Sequence, residues 1–332
     1  MSYNLHQESI VIDGLQYSNW DRTIFQQLRQ GGVSAVHVTI AYWENTMETL
    51  RNIGRWNRLF EGNGDLIMPV KVADDIRIAK EQGKVGIIFG FQNCSPIADD
   101  SNLVKVFHQL NVRIMQLTYN NQSLLASGCY EENDSGITRF GKVVIEEMNR
   151  IGMVIDMSHS GDRSTLEAIE HSTRPITISH ANPKFFEPAL RNKSNTVLKA
   201  IAESGGMLGF SAYPLHLRNG SNCTLTDFCD MVARTADLIG VDTIGIGTDL
   251  CVNHDYSVLK WMRNGRWTKQ PDYGEGTATV KDWPAPLTWL RNSADFSNLT
   301  QGLLDKGFTQ EETAKIMGQN WLNFFDSSFI PA

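Results

Sequence analysis

The sequence predicts an α/β protein of the (β/α)8 TIM-type barrel class, folded as a single domain over residues 1–332. Three observations predict it. Short apolar, β-branched runs recur at residues 9–15, 33–40, 85–92, 113–119, 153–159, 175–180, 206–213 and 243–250. Several of the segments between them carry helical periodicity. Most runs are apolar until their last one to three residues, where Gln92, Tyr119, His159, His180, Tyr213 and Asp249 stand. An open doubly wound sheet gathers its chemistry at one switch point. Polar groups on six strand ends fit the mouth of a closed barrel, where catalytic groups collect.

The helical segments stop where expected. Residues 140–151 are followed by Gly152, 194–204 by Gly205, and 225–239 by Gly240. Glycine after the last periodic residue ends a helix because it accepts the left-handed conformation. Near-continuous apolar strands alternating with helices imply a parallel sheet covered on both faces. Residues 251–282 are rich in Gly, Tyr and Trp and read as a long loop over the mouth. Thr309-Gln-Glu-Glu312 is a capping box that opens a closing helix at about 310–325. The chain shows no repeats, low-complexity tracts or linkers.

Composition narrows the class. The chain is 20% charged and 41% hydrophobic with net charge −7. It has no basic run, which argues against nucleic acid and anionic membranes as partners. No apolar stretch approaches the ~18 residues that span a bilayer. The first residues, Met1-Ser-Tyr-Asn-Leu-His6, carry no secretory pattern. Five scattered cysteines without a C-x-x-C pair read as reduced thiols, so a cytoplasmic protein is expected.

His159 and His180 end successive runs, Met153-Val-Ile-Asp-Met-Ser-His159 and Pro175-Ile-Thr-Ile-Ser-His180. Each alone reads as a core histidine with a satisfied hydrogen bond. Two at equivalent strand ends read as half of a zinc site, because neutral imidazole is the commonest metal ligand. Asp249 ends Ile244-Gly-Ile-Gly-Thr-Asp249 and can serve as a general base, or as a loop-fixing cap. Arg191 follows His180 by eleven residues and can clamp a substrate carboxylate in bidentate fashion if the loop folds back. Gln92 offers a weak, neutral ligand oxygen or a structural hydrogen bond. Tyr119 can donate to a developing oxyanion or simply pack. Tyr213 is assigned to substrate binding.

At this point the chain resembles the membrane (renal) dipeptidase family, a branch of the metal-dependent amidohydrolase barrels. The resemblance runs from Val11-Ile-Asp-Gly14 to Asn320-Trp-Leu-Asn-Phe324 and is most specific over residues 140–159. It implies that His159 and His180 are metal ligands, that Arg191 binds substrate and that Gly247-Thr-Asp249 supplies the aspartate after the last strand. It also implies a homodimer. The departures are equally specific. The family's His-x-Asp on the first strand is Leu15 and Tyr17, its bridging Glu is Gln92, and its strand-four His is Tyr119.

Two dications roughly 3.5–4 Å apart need a bridging anion. Gln92 is neutral and Leu15 cannot ligate, so a two-metal site is not expected. One zinc or other divalent ion on His159, His180 and Gln92 is the expectation, or none. The first functional expectation is therefore a dipeptidase-like hydrolase of a small carboxylate-bearing amide. The alternative is a metal-free barrel repurposed for altered chemistry or small-molecule binding.

Overall fold

The computed structural model describes residues 2–266 and 282–329. Parallel strands β1 (Ile12–Gln16), β2 (Ala35–Ala41), β3 (Ile67–Pro69), β4 (Val85–Phe91), β5 (Val112–Gln116), β6 (Val154–Asp156), β7 (Thr177–Ile178), β8 (Met207–Phe210) and β9 (Ile244–Ile246) share one sheet. Its order is β1-β2-β4-β5-β6-β7-β8-β9, with β3 paired to β4 off this path. A parallel bridge between Gln16 and Leu250 returns the last strand to the first. The Asp249 N–H also donates to Leu15 O at 3.0 Å. The ring is the (β/α)8 barrel that the sequence predicts.

Local chemistry accounts for the helices. Thr138 caps Arg139–Ile151 by accepting from the Gly141 N–H, and Gly152 ends it at φ 79°. Its buried face is Val144, Ile145, Met148 and Ile151, the stripe that periodicity marks. Thr224 and Asp227 form a reciprocal capping box on Leu225–Ile239.

Three elements differ from expectation. The strands are shorter than the apolar runs: β6 stops at Asp156 and β7 at Ile178, so His159 and His180 stand on the loops just past the strand tips. Within 251–282, expected as loop, Tyr256–Asn264 is a helix capped by the Asp255 side chain. Residues 267–281 of that span lie outside the described residues. The closing helix starts at its capping box but breaks into Gln310–Ala314, a wide turn at Lys315–Gln319, and Asn320–Ser328.

The last of these helices forms the barrel floor. Trp321 is fully buried, and its indole N–H donates to Ile246 O at 2.9 Å. A Cβ on Gly14, Gly209 or Gly245 would stand 2.8, 3.0 or 2.5 Å from its ring. Bare backbone on β1, β8 and β9 therefore makes the room. Above it lies a layer of buried polar groups. Asp13 accepts from the Thr248 N–H at 2.7 Å, from the Thr248 hydroxyl and from the Gln16 amide. Burial still pushes its carboxyl up to about 6. Burial likewise pushes His37, bonded to Gly14 O, down to about 4.

Candidate active site

At the C-terminal ends of the strands lies a small cavity of about 30 Å³. Its walls include Tyr17, Gln92, Tyr119, Asn120, His159, Tyr213, His216 and Asp249, with Leu259, Met262 and Arg263 from the Tyr256–Asn264 helix as a roof. That volume holds one or two small groups, since a water needs roughly 10–15 Å³ of such space. An adjoining pocket of about 310 Å³ shares Tyr17, Tyr213 and Asp249 and adds Leu250, Trp283 and Leu287.

The two histidines converge. Their Nε2 atoms are 3.1 Å apart, with His159 on the cavity wall and His180 fully buried behind it. Nδ1 of His159 bonds Asn120 Oδ1 at 2.7 Å, and Nδ1 of His180 meets Ser179 Oγ at 2.8 Å. Burial first, and the Arg191 charge second, hold both imidazoles well below the usual histidine range. Both are therefore neutral at pH 7, the form that binds metals. Their separation suits two ligands of one ion at about 2.0–2.1 Å each. Gln92 commits its amide N–H to Thr39 Oγ1 at 2.8 Å, which makes its oxygen the atom left to offer.

The other half of a two-metal centre does not fit. Leu15, Tyr17 and Tyr119 belong to an apolar cluster with Tyr42, Trp43, Leu259 and Met262. Tyr119 meets Trp43 edge-on at 5.4 Å and lies 4.1 Å, centroid to centroid, from the His159 ring. Burial holds the Tyr17 phenol in its protonated form. Among the described residues no three His, Cys, Asp or Glu side chains are grouped to hold a metal.

Asp249 sits at the rim in the left-handed region, φ 59°, which Asp tolerates better than most residues. Gly247 permits this approach, because a Cβ there would stand 1.8 Å from Ser179 O.

Arg191 departs from the expected carboxylate clamp. It is fully buried and is absent from the cavity wall. Its Nη1 donates to Ser158 O and its Nη2 to His180 O, the latter at 3.0 Å. Lys193 donates to Met157 O at 2.9 Å and Ser160 O at 2.6 Å. The two cations thus brace the tips of β6 and β7 from behind. The loop folds back on itself, pairing Pro183 with Lys193, and this points residues 191 and 193 inward. Three polar lining residues were not singled out from sequence, Asn120, His216 and Arg263, nor were the apolar Leu259 and Met262. Asn120 directly follows Tyr119, and Arg263 lies on the helix that was read as loop.

A sequence model of the membrane dipeptidase family, peptidase family M19, matches residues 3–257. The chain belongs to this family. Dipeptidase tcpJ of Claviceps purpurea is 25% identical over 276 residues, covering 82% of this chain but 58% of its own length. Dipeptidase aclJ of Aspergillus oryzae is 25% identical over 317 residues, 90% of this chain and 68% of its own. The dipeptidase-family chain therefore spans little more than half of the first of these relatives. Among solved structures, an amidohydrolase from Pseudomonas aeruginosa is 37% identical with a TM-score of 0.93, covering 99% of both chains. A metallo peptidase from Rhodobacter sphaeroides, liganded with a phosphinate mimic of a dipeptide, is 16% identical with a TM-score of 0.79 and shares the fold. No described helix of this M19 chain is long and apolar enough to cross a membrane.

Proposed function

We propose that this chain hydrolyses the amide bond of a small dipeptide or related carboxylate-bearing molecule, with at most one divalent ion, zinc by its donor set. The observation that carries the reading is the pair of neutral imidazoles 3.1 Å apart beside Asp249. His159 and His180 would hold the ion, with Gln92 as third ligand. Bound there, it would supply a Lewis acid that polarises a carbonyl and acidifies water.

The chain's own residues do the rest. Asp249 takes a proton from the attacking water and returns it to the leaving amine. The Tyr119 hydroxyl donates to the oxygen that gains charge. Tyr213 orients the substrate between the central cavity and the adjoining pocket. Leu259 and Met262 exclude water from above. With Arg191 turned to the backbone, Arg263 on the cavity wall takes the substrate carboxylate. Residues 1–332 act as one domain in this reading. A cytoplasmic homodimer is proposed with it, supported by five free cysteines, which suit a reducing compartment, and by family resemblance.

One observation favours the second reading, a metal-free barrel with altered chemistry or ligand binding. Leu15 and Tyr17, where the family resemblance implies ligands of the first metal, instead pack into an apolar cluster with Tyr119. Elemental mass spectrometry of the purified protein, with turnover of a dipeptide panel with and without chelator, separates them. About one zinc per chain with chelator-sensitive hydrolysis supports the first. Near-zero metal with hydrolysis absent or chelator-insensitive supports the second. Two metals per chain overturn the account of Leu15, Tyr17 and Gln92.

A further inference from the structure

The protons beneath the histidine pair can be counted. Asp156 is buried at the tip of β6 and accepts from Ser158 N–H, Ser158 Oγ, Ser179 N–H and Ser179 Oγ. A carboxylate offers no proton in return, so each serine spends its single hydroxyl hydrogen on it. Ser179 Oγ, 2.8 Å from His180 Nδ1, then has only a lone pair to present, and His180 must carry its proton on Nδ1. Asn120 Oδ1 likewise accepts from His159 Nδ1–H. Both neutral rings therefore aim Nε2 lone pairs at each other across 3.1 Å. Two acceptors at that distance repel unless a cation lies between them. The cheap escape is one tautomer change: His180 moves its proton to Nε2 and donates to His159, closing the gap with an ordinary hydrogen bond.

We propose that Ser179, held by Asp156, is a positioning residue that fixes the tautomer of His180 and so keeps the space between the imidazoles open to a cation. Ser179→Ala removes the acceptor at Nδ1, and the ring then finds its better partner in His159 Nε2. Asp156→Asn acts in the same direction with almost no change in volume. Its amide can donate to Ser179 Oγ, which frees the serine hydrogen for His180 Nδ1. Ser160→Ala is the control. It trims a buried serine beside His159 that bonds only Met157 Sδ through its hydroxyl, and it leaves the proton count at His180 unchanged.

The proposal rests on the metal-site reading only for its second measurement. The first is the tautomer of His180 by NMR of isotope-labelled histidine in the full-length, metal-free protein. The wild type and Ser160→Ala should carry the proton on Nδ1, and Ser179→Ala and Asp156→Asn on Nε2. The second is calorimetric titration with zinc chloride. Binding should weaken by roughly 10–100-fold in the two relay variants, the usual cost of losing such a support, and stay near wild type in the control. If Ser179→Ala fails to fold, Asp156→Asn carries the test. Retention of the Nδ1 proton in a folded relay variant, or an equal shift in the control, overturns the proposal. If no protein in the set, wild type included, binds zinc, the metal reading fails and the tautomers alone decide this one.

Discussion

Arg191→Lys separates a strut from a substrate clamp. Lysine keeps the buried charge but ends in one compact ammonium, so it cannot span Ser158 O and His180 O as the guanidinium fork does. The β6–β7 ladder is thin here, with Asp156 opposite Thr177 as its one paired position. Losing one of two hydrogen bonds to a charged donor costs about 1.5–3 kcal/mol. A chain of this length unfolds with an entropy of roughly 0.7 kcal/mol/K, so Tm should fall by about 2–4 °C. The two histidine-bearing tips should also drift relative to each other, and zinc affinity should drop about tenfold or more. Differential scanning calorimetry and zinc titration read both. If Arg191→Lys instead raised KM for carboxylate-bearing substrates while Tm and zinc affinity stayed at wild-type values, the strut would be wrong and the clamp restored.

Other expected outcomes follow from the same geometry. Asp249→Asn should lower kcat by about 10²–10⁴-fold with zinc content unchanged; near-normal turnover would remove it as the proton carrier. Gln92→Glu should tighten zinc binding at least about tenfold, because an anionic oxygen replaces a neutral one and Thr39 can donate to it. Unchanged affinity would put Gln92 out of the ion's reach. Acid should destabilise the fold. His37, His159 and His180 are held below their unfolded value of 6.5, so the unfolded chain binds more protons there, and stability present above pH 6.5 is lost as pH falls. Asp13, raised to about 6, opposes with one proton. His108, pushed down to about 4 by burial, adds to the loss, so stability should fall as pH drops from 6 to 5, read by urea unfolding at each pH. A flat profile across that range would contradict the buried, neutral state of the histidines.

The barrel was legible because its strands are nearly pure apolar runs and its helices carry their own caps. Strand ends were less so. Sequence shows where apolar character stops, but hydrogen bonding stops earlier, and both histidines stand past it on loops. β3 escaped notice because three residues ending in Pro69 carry no alternation to read. The convergence of His159 and His180 was foreseeable from equivalent strand ends, whereas the direction of Arg191 was not. Spacing places a residue along the chain and says nothing about which way a loop turns it. One signal was present: residues 191 and 193 are two apart, so in extended chain they share a face, and both cations went to the same side. Arg263 was hidden for another reason. A Trp- and Gly-rich stretch reads as loop, although its first part folds as a capped helix.

The floor has a consequence for biosynthesis. Trp321 plugs three glycine-bared strands, and it follows all nine described strands in sequence. A nascent polypeptide can hold those nine strands outside the ribosome and still have an unstoppered cylinder, with the apolar surfaces of β1, β8 and β9 open below. Domains begin folding as they emerge, and such openings attract chaperones and neighbouring chains. Translation must pass Trp321 before this cylinder is sealed, so a ribosome stalled between β9 and that residue releases a hazard rather than a slightly shortened protein.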